Sequence, residues 1–162
     1  MFQDKLLSSY DGCEVMFEEA KLAIEESSAE SSVYVGADSI RYKKNDRWYA
    51  KYSVVVILHM NSKNGCRVWH QTYDLDDYGN LKQRLLNEAG YAIQAAAEII
   101  DVVGDRNFQV HLDLNPSPKH KSNIAVKEAL SYVKGSLGID ALIKPHSFAA
   151  THCGDHAVRA WN

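Results

Sequence analysis

The chain has 162 residues, 46% of them hydrophobic and 24% charged, which is typical of a single folded domain with a sizeable core. Its formal net charge of −3 disfavours a protein that coats nucleic acid, because coating needs clustered Lys and Arg, although it allows an enzyme with a local basic rim. No apolar run approaches the roughly 20 residues of a membrane helix, and no signal peptide is recognisable, so we expect a cytoplasmic protein without membrane segments.

The three cysteines, Cys13, Cys66 and Cys153, are too few and too scattered to indicate a disulfide framework. Cys153 and His156 form a single CxxH, but no second ligand pair follows at zinc-site spacing, so a structural zinc is not expected. A serine hydrolase is not indicated either, because the chain contains no GxSxG motif.

The first predicted element is an amphipathic helix within residues 12–31, whose outer face is acidic. Three strands follow, at 31–40, 48–60 and 66–75. A charged turn joins the first two strands, and the hairpin signal Asn64-Gly65 joins the second to the third. This part of the chain therefore predicts a three-stranded antiparallel meander.

Helices and strands alternate in the rest of the chain. The pattern predicts a helix at about 80–103, a strand at 107–114, a helix at about 122–134, a short strand at 140–145 and a last helix at 147–161 with Ser147 as N-cap. With the meander, this order predicts an α/β fold: a five-stranded mixed sheet, three antiparallel strands and then parallel additions, with helices on both faces. We expect one domain, with residues 32–162 as its core and residues 1–31 as a helical extension.

Two aspartates stand near the ends of strands that we expect to be neighbours. If the fourth strand crosses over from the first through the long helix, the two strands run parallel, and Asp38 lies beside Asp113. Sites of open parallel sheets lie beyond the carboxyl ends of their strands. Asp113 shares a strand face with Gln109 and His111, the less apolar of the two faces, as a functional side chain does.

Two helices offer further carboxylates. Glu88 falls in the middle of an apolar stripe of the long helix, where an unpaired charge is costly. The stripe consists of Leu81, Leu85, Ala92, Ala96, Ile99 and Val103. Glu88 therefore pairs with Arg or Lys, lies at the wet end of the stripe, or binds a metal. Asp155 lies off the inward stripe of the last helix, so its position fits a solvated carboxylate equally well.

Clustered carboxylates without cysteine ligands favour hard cations such as Mg²⁺ or Mn²⁺. Two such ions, roughly 3.5–4 Å apart, can activate a water and hold the leaving oxygen during phosphodiester cleavage. Because like-charged carboxylates repel one another, the ions also relieve that repulsion. This explains why such a site needs Asp and Glu rather than Asn and Gln.

Four stretches carry a resemblance to a known family: VGADS at 35–39, RLLNEAG at 84–90, HLDLNPSPKHKSN at 111–123 and KPHSFAATHCGDHAVR at 144–159. They resemble the ribonuclease-H-like superfamily and, within it, the YkuK-type family of RNase-H-like proteins. The resemblance runs from the first predicted strand to the C-terminus and leaves the N-terminal helix outside. It implies a central mixed sheet and an acidic site for two divalent ions.

Carried over by position, the resemblance assigns catalytic and metal-binding roles to Asp38, Glu88, Asp113 and Asp155, with Asp38 bridging both ions. The small residue expected before the last aspartate is Gly154 here. The implied activity is that of a nuclease that depends on two Mg²⁺ or Mn²⁺ ions. The implied partner is a nucleic acid substrate, whether RNA, DNA or a hybrid.

The loop after Asp113 carries candidate substrate-binding residues. Asn115 could orient Asp113 or a metal-bound water. Lys119, His120 and Lys121 could contact phosphates, or the histidine could shuttle protons to the leaving group. Alternatively, the loop is a solvated turn whose path its prolines fix. Lys144, just before Pro145, could contact phosphate or pair with an acidic residue.

A second interpretation is a non-catalytic adaptor on the same scaffold, which binds protein or nucleic acid. The net acidity and the short chain favour it, whereas the four acidic positions favour the enzyme, because a binding module has no reason to keep them. The strand aromatics Trp48, Tyr49, Trp69 and Tyr73 fit core or cross-strand packing better than base stacking. The sequence gives no indication of the oligomeric state.

Overall fold

The computed structural model describes residues 12–159 and, as backbone only, residues 5–8. Its strands are β1 (Lys5–Ser8), β2 (Glu14–Met16), β3 (Ser32–Lys44), β4 (Arg47–His59), β5 (Cys66–Asp76) and β6 (Asn107–Leu112). Its helices are α1 (Phe17–Glu26), α2 (Leu81–Val103), α3 (Val126–Leu137) and α4 (Asp155–Arg159), with 3₁₀ turns at Met60–Ser62 and Lys121–Ala125 and a π-helical segment at Ala149–Gly154. None of the described helices is long and apolar enough to cross a lipid bilayer.

The described strands form one mixed sheet in the order β2-β1-β5-β4-β3-β6. β3, β4 and β5 form the predicted antiparallel meander, and β6 runs parallel to β3, as a crossover through α2 requires. Asn45 and Asp46, both with positive φ, make the two-residue turn that suits a twisted hairpin. The predicted α/β architecture is confirmed.

Two details of the sheet differ from the five-strand prediction. β1 and β2 add a short antiparallel pair beside β5, and strands of four and three residues are too short to show an alternating pattern. The strand predicted at 140–145 is reduced to one parallel bridge between His111 and Leu142. Pro145 has no N–H to continue the pairing, and the Lys144 N–H instead donates to the Leu114 carbonyl at 3.0 Å.

The sheet is covered on both faces, as predicted. On one face, alternate residues of β3 and β4 pack against α1, α2 and α3 in the main core. These strand residues are Val33, Val35, Ala37, Val54, Val56 and Leu58. On the other face, Val55 and Ile57 pack against Ala149 and Ala157 of residues 149–159, called here the C-terminal segment.

The long helix α2 begins where the sequence predicts. The Asn80 side chain caps it by accepting the Gln83 N–H at 3.0 Å. The predicted stripe is buried at Leu85, Ala92, Ala96, Ile99 and Val103. Glu88 is only 3% exposed, which excludes the wet end of the stripe. A carboxyl group in such a place needs a hydrogen-bonding or ionic partner.

The C-terminal segment lies directly on β3 at Gly36. A side-chain carbon at this position would lie 2.6 Å from the Ala150 nitrogen and 2.7 Å from the Ala149 carbonyl carbon, closer than real contacts allow. Close approach of two backbones therefore requires glycine here. The contact fixes the place where the segment, and Asp155 with it, meets the sheet.

We expect Gly36→Ala to lower the free energy of unfolding by about 1–3 kcal/mol, because the added methyl group overpacks a contact with backbone atoms. Urea unfolding followed by circular dichroism measures the change. Gly135→Ala on α3 is the matched control, since no described atom outside its own helix lies within 4 Å of the added carbon, and alanine stabilises a helix interior. Equal unfolding midpoints for Gly36→Ala and the wild type would contradict this contact.

Candidate active site

Asp38 and Asp113 lie side by side at the end of the parallel strand pair. The last register pair of β3 and β6 is Ala37 with Leu112. Asp38 is the next residue of β3, and Asp113 is the first residue after β6. Burial raises the pKa of Asp38 from 3.8 to about 7, and the negative charge of Asp113 acts in the same direction. The Ser39 N–H, which donates to Asp38 Oδ1 at 2.8 Å, opposes this shift. Asp38 is therefore a buried acid beside a second carboxylate.

Glu88 reaches the same corner of the sheet from α2. Its Oε1 accepts a 2.6 Å hydrogen bond from the hydroxyl of Ser39, the residue after Asp38. Burial raises the pKa of Glu88 well above its usual range, and the charges of Asp38 and Asp113 raise it further. Arg84, one helical turn earlier, lowers this pKa, but its guanidinium forms an ion pair with Asp77. Glu88 is thus a buried acid that faces two other carboxyl groups.

Asp113 is held by residues that come later in the chain. Lys144 Nζ lies 2.8 Å from Asp113 Oδ1, and the Thr151 hydroxyl donates to the same oxygen at 3.0 Å. Of the two roles that the sequence left open for Lys144, pairing with an acidic residue is the one observed. The Lys144 charge also lowers the pKa of Asp38. The Lys144 ammonium group therefore offsets part of the negative charge at this corner of the sheet.

Asp155 is the first residue of α4 and follows the π-helical segment. A side-chain carbon at Gly154 would lie 3.1 Å from Asp38 Cβ, so this glycine lets the segment pass close over Asp38. The charge of Asp155 contributes to the raised pKa of Asp38, and Asp155 also forms an ion pair with Arg159. The four residues of this carboxylate cluster, Asp38, Glu88, Asp113 and Asp155, converge from β3, α2, the end of β6 and α4.

The sequence pattern treated residues 147–161 as one regular α-helix, and this is wrong for residues 149–154. They are π-helical, and the Asp155 N–H donates to the Ala150 carbonyl five residues earlier. A wider turn changes the angle between successive side chains, so a wheel drawn for an α-helix misplaces Asp155. The predicted N-cap, Ser147, accepts the Thr151 N–H through its backbone carbonyl at 3.0 Å. The predicted residues beyond Arg159 lie outside the described part of the chain.

The donor set of the carboxylate cluster suits divalent cations that prefer oxygen. A cation here would relieve the repulsion that raises the pKa values of Asp38 and Glu88. Ser53, the register partner of Asp38, has a buried hydroxyl with no hydrogen-bond partner among the described residues. Within the described chain, no three His, Cys, Asp or Glu side chains are already arranged around one ion position. Three of the four carboxylates are instead turned toward side chains of the protein, and ion binding requires them to exchange these partners.

His111 fixes the C-terminal segment from inside the sheet. Its ring is fully buried and contacts the rings of Tyr34 and Phe148. Nδ1 accepts the Ala149 N–H at 3.1 Å, so the proton of the neutral ring is on Nε2, which donates to Gln109 Oε1 at 3.0 Å. Burial lowers the pKa of His111 to about 4. The ring therefore stays neutral at physiological pH and positions the segment.

The loop after Asp113 is organised by its own polar groups. The Asn115 side-chain oxygen accepts the Ser117 N–H at 2.9 Å, and the Asn115 N–H donates to the Ser122 hydroxyl at 3.0 Å. Lys119 and His120 are exposed, and their N–H groups donate to Ser117. These bonds shape a turn, and the substrate contacts expected of Asn115, Lys119 and His120 stay predictions.

A basic groove lies at the amino end of α2. It has a volume of about 400 Å³ and is lined by Arg41, Gly79, Leu81, Arg84, Lys121 and Ser122. Asp77 lies 2.6 Å from Arg41 Nε and 3.4 Å from an Arg84 nitrogen, and the buried Arg84 Nε has no hydrogen-bond partner among the described residues. The sequence pointed to Lys121 but missed both arginines. Arg84 could have been found from its position one helical turn before Glu88.

A larger groove, of about 580 Å³, lies between β5, α2 and α3 and is lined by no member of the carboxylate cluster. Its walls include the amide side chains of Gln83, Asn87 and Gln94 and the rings of Tyr91 and Tyr132. Size alone is therefore not the criterion for a candidate active site. The raised pKa values of Asp38 and Glu88 and the convergence of charges make the carboxylate cluster the better candidate.

A family model described as Ribonuclease H-like matches residues 14–159. The chain belongs to the ribonuclease H-like family. The family-level resemblance found in the sequence is thereby confirmed. The match includes α1, and in this ribonuclease H-like chain α1 buries Phe17, Ala20 and Ile24 in the main core. Searches of the curated proteins and of the solved structures each gave no match.

Proposed function

We propose that this ribonuclease H-like protein is a divalent-metal-dependent nuclease that hydrolyses phosphodiester bonds of RNA or DNA. One observation carries the proposal: the carboxylate cluster is assembled from four separate elements at the carboxyl end of the parallel pair β3–β6. Mutually repelling, partly buried acids oppose folding, and strongly shifted pKa values of this kind are typical of functional sites.

Two Mg²⁺ or Mn²⁺ ions are the proposed cofactors, with the carboxylate cluster as ligands and Asp38 shared between them. When bound, such ions activate a water and stabilise the leaving oxygen. The chain prepares the ligands, because the Ser39 hydroxyl orients Glu88 and the Thr151 hydroxyl orients Asp113. The Lys144 ammonium group pairs with Asp113 and can pair with a substrate phosphate instead when substrate binds.

Nucleic acid is the proposed substrate. The basic groove supports this choice, because the side chains of Arg41, Arg84 and Lys121 that line it attract phosphate. Lys119 and His120, which are exposed on the neighbouring loop, are further proposed phosphate contacts, with Asn115 holding the turn that presents them. No disulfide joins Cys13, Cys66 or Cys153 within the part of the chain that the structure describes, which agrees with the cytoplasm as the proposed location.

The test is a panel of labelled RNA, DNA and hybrid oligonucleotides, single-stranded, duplex and branched, incubated in Mg²⁺, Mn²⁺ or EDTA. We expect cleavage with either metal and none in EDTA. Asp113→Asn should abolish cleavage with an unchanged circular dichroism spectrum, because asparagine keeps the shape but removes the anionic ligand. Asp140→Asn, at an exposed aspartate that is paired with Lys134, is the matched control and should stay active. Cleavage by Asp113→Asn at the wild-type rate would show the site assignment to be wrong.

A non-catalytic adaptor on the same scaffold is the second candidate function. The observation that favours it is that Asp113 and Asp155 are already ion-paired with Lys144 and Arg159. Calorimetric titration with Mn²⁺ separates the two candidates. Binding of two ions favours the nuclease, and no binding favours the adaptor.

A further inference from the structure

The strands of the meander continue past the carboxylate cluster. β6 ends at Leu112, opposite Ala37, whereas β3 continues to Lys44 with β4 paired beside it. β5 accompanies them as far as Asp76, which pairs with Tyr49. Residues 38–44, 47–53 and 72–76 therefore form a three-stranded sheet extension that begins at the carboxylate cluster.

One face of the sheet extension is the face that carries Asp38. Side chains alternate between faces, so every second residue of β3 after Asp38 shares this face with its register partner on β4. These pairs are Ile40 with Lys51, Tyr42 with Tyr49, and Lys44 with Arg47. Ile40 and the two tyrosines are partly exposed, and Lys44 and Arg47 are exposed. The C-terminal segment packs on this face at Gly36 and Asp38, so the exposed part starts immediately beside the proposed site.

Two tyrosine rings occupy the middle of this exposed face. Tyr42 and Tyr49 lie opposite each other, with ring centroids 5.5 Å apart and ring planes inclined by 23°. The Tyr42 hydroxyl donates to Asp74 Oδ1 at 2.9 Å, which fixes this ring from β5. Exposed aromatic rings on a sheet face are a common means of stacking unpaired bases.

Charges on the same face are divided between its two sides. The Lys51 ammonium lies 5.8 Å from the centre of the Tyr42 ring. Lys44 and Arg47 lie at the tip of the β3–β4 hairpin. Apart from Asp38, which belongs to the carboxylate cluster, the acidic strand residues of this face are Asp74 and Asp76, and both belong to β5. A polyanion is therefore attracted along β3 and β4 and repelled from β5. This path leads along β3 directly to the carboxylate cluster.

We propose that Tyr42 and Tyr49 stack unpaired bases of a single-stranded segment whose backbone runs along β3 into the carboxylate cluster. This proposal rests on the nuclease function and narrows its substrate to a strand that is unpaired at or beside the cleaved bond. Tyr42 is four residues beyond Asp38, about 13 Å at a rise of ~3.3 Å per residue, or about four stacked nucleotides at ~3.4 Å each. A continuous duplex cannot make this contact, because its bases are already paired and stacked.

The test measures binding of labelled oligonucleotides by fluorescence anisotropy in EDTA, where no metal-dependent cleavage occurs. We expect the wild type to bind a single strand more tightly than the blunt duplex of the same sequence. Tyr42→Leu and Tyr49→Leu should each weaken single-strand binding about fivefold to a hundredfold, because stacking of one base contributes about 1–3 kcal/mol. Both variants should leave duplex binding unchanged.

Two variants serve as controls. Tyr42→Phe keeps the ring, loses the bond to Asp74 and should bind as the wild type does. Tyr132→Leu removes a tyrosine that is 47% exposed on α3, away from the sheet extension, and should also have no effect. Unfolding midpoints are measured for every variant, and Tyr49→Leu decides the question if Tyr42→Leu does not fold.

Three results overturn the stacking surface: equal wild-type binding of single strand and duplex, unchanged binding by the leucine variants, or a Tyr42→Phe defect as large as that of Tyr42→Leu. The last result assigns the effect to the hydrogen bond with Asp74 rather than to the ring. Ring-dependent binding without metal-dependent cleavage refutes the nuclease and leaves the stacking surface. Metal-dependent cleavage of duplex that does not depend on either tyrosine ring refutes the stacking surface and leaves the nuclease.

Discussion

Replacing Asp38 by asparagine is expected to abolish metal-dependent cleavage and, at the same time, to stabilise the metal-free protein at pH 8. Asp38 is the proposed ligand of both ions, and ions in such sites supply several kcal/mol of charge stabilisation. A loss of this size reduces the cleavage rate by at least about a thousandfold. Single-turnover assays with excess enzyme and saturating Mn²⁺ measure it.

The stabilising half of this prediction follows from the electrostatics of the site. At pH 8 the metal-free protein must keep a buried Asp38 charged, and its pKa of about 7 records how unfavourable this is. Asparagine has a similar shape and carries no charge, so the urea midpoint at pH 8 in EDTA should rise. A substitution that lowers the cleavage rate but raises the stability identifies a functional carboxylate. Removing a structural carboxylate lowers both.

Asp101→Asn is the matched control for Asp38→Asn. Asp101 is exposed on α2, the helix that also carries Glu88, so this change removes a charge without touching the carboxylate cluster. It should alter neither cleavage nor the urea midpoint appreciably. An Asp38→Asn protein that is inactive but also strongly destabilised at pH 8 would contradict the interpretation of Asp38 as a strained, functional acid.

The second large effect is a loss of stability of the metal-free protein as the pH rises from 4 to 8, and its reversal by metal. The pKa of Asp38 is about 7 in the folded protein, compared with about 3.9 in an unfolded chain. Between these values the folded state binds a proton that the unfolded state releases. The stabilisation is therefore complete below about pH 4 and is lost as the pH passes 7, which amounts to up to about 4 kcal/mol.

Glu88 acts in the same direction, because its pKa is also raised. The measurement is a series of urea unfolding curves in EDTA from pH 4 to 8, each compared with Asp38→Asn to remove the contribution of all other groups. Mg²⁺ or Mn²⁺ at a hundred times its dissociation constant should restore about 2.7 kcal/mol for each bound ion at pH 8. Sodium chloride at equal ionic strength is the control for screening. Identical pH slopes for the wild type and Asp38→Asn, or no response to metal, would contradict the prediction.

The parts of the site that the sequence predicts are those governed by regular geometry. The adjacency of Asp38 and Asp113 follows from the crossover rule, because a strand, a long helix and a second strand place two parallel strand ends together. The burial of Glu88 follows from the apolar stripe of α2, which has the period of an α-helix over its whole length.

The parts that the hydrophobic pattern did not predict depend on irregular backbone or on distant contacts, and Asp155 was assigned through the family resemblance alone. Asp155 follows a π-helical segment, whose hydrogen bonds leave no signature in the hydrophobic pattern. Gly36 and Gly154 are informative only once the C-terminal segment is known to lie on β3. Tyr49 was expected to pack across strands, and it does pack on Tyr42, but the pattern could not show that the pair stays partly exposed.

The restraint of the carboxylate cluster by residues 144–159 has a consequence for the protein while it is still being made. A nascent chain that has left the ribosome up to residue 113 already carries three of the acids, but Lys144, Thr151 and Asp155 have not yet emerged. Folding proceeds from the N-terminus during synthesis, so the fourth acid arrives last. Until synthesis is finished, the chain therefore lacks the fourth proposed metal ligand and the side chains that hold Asp113 in place.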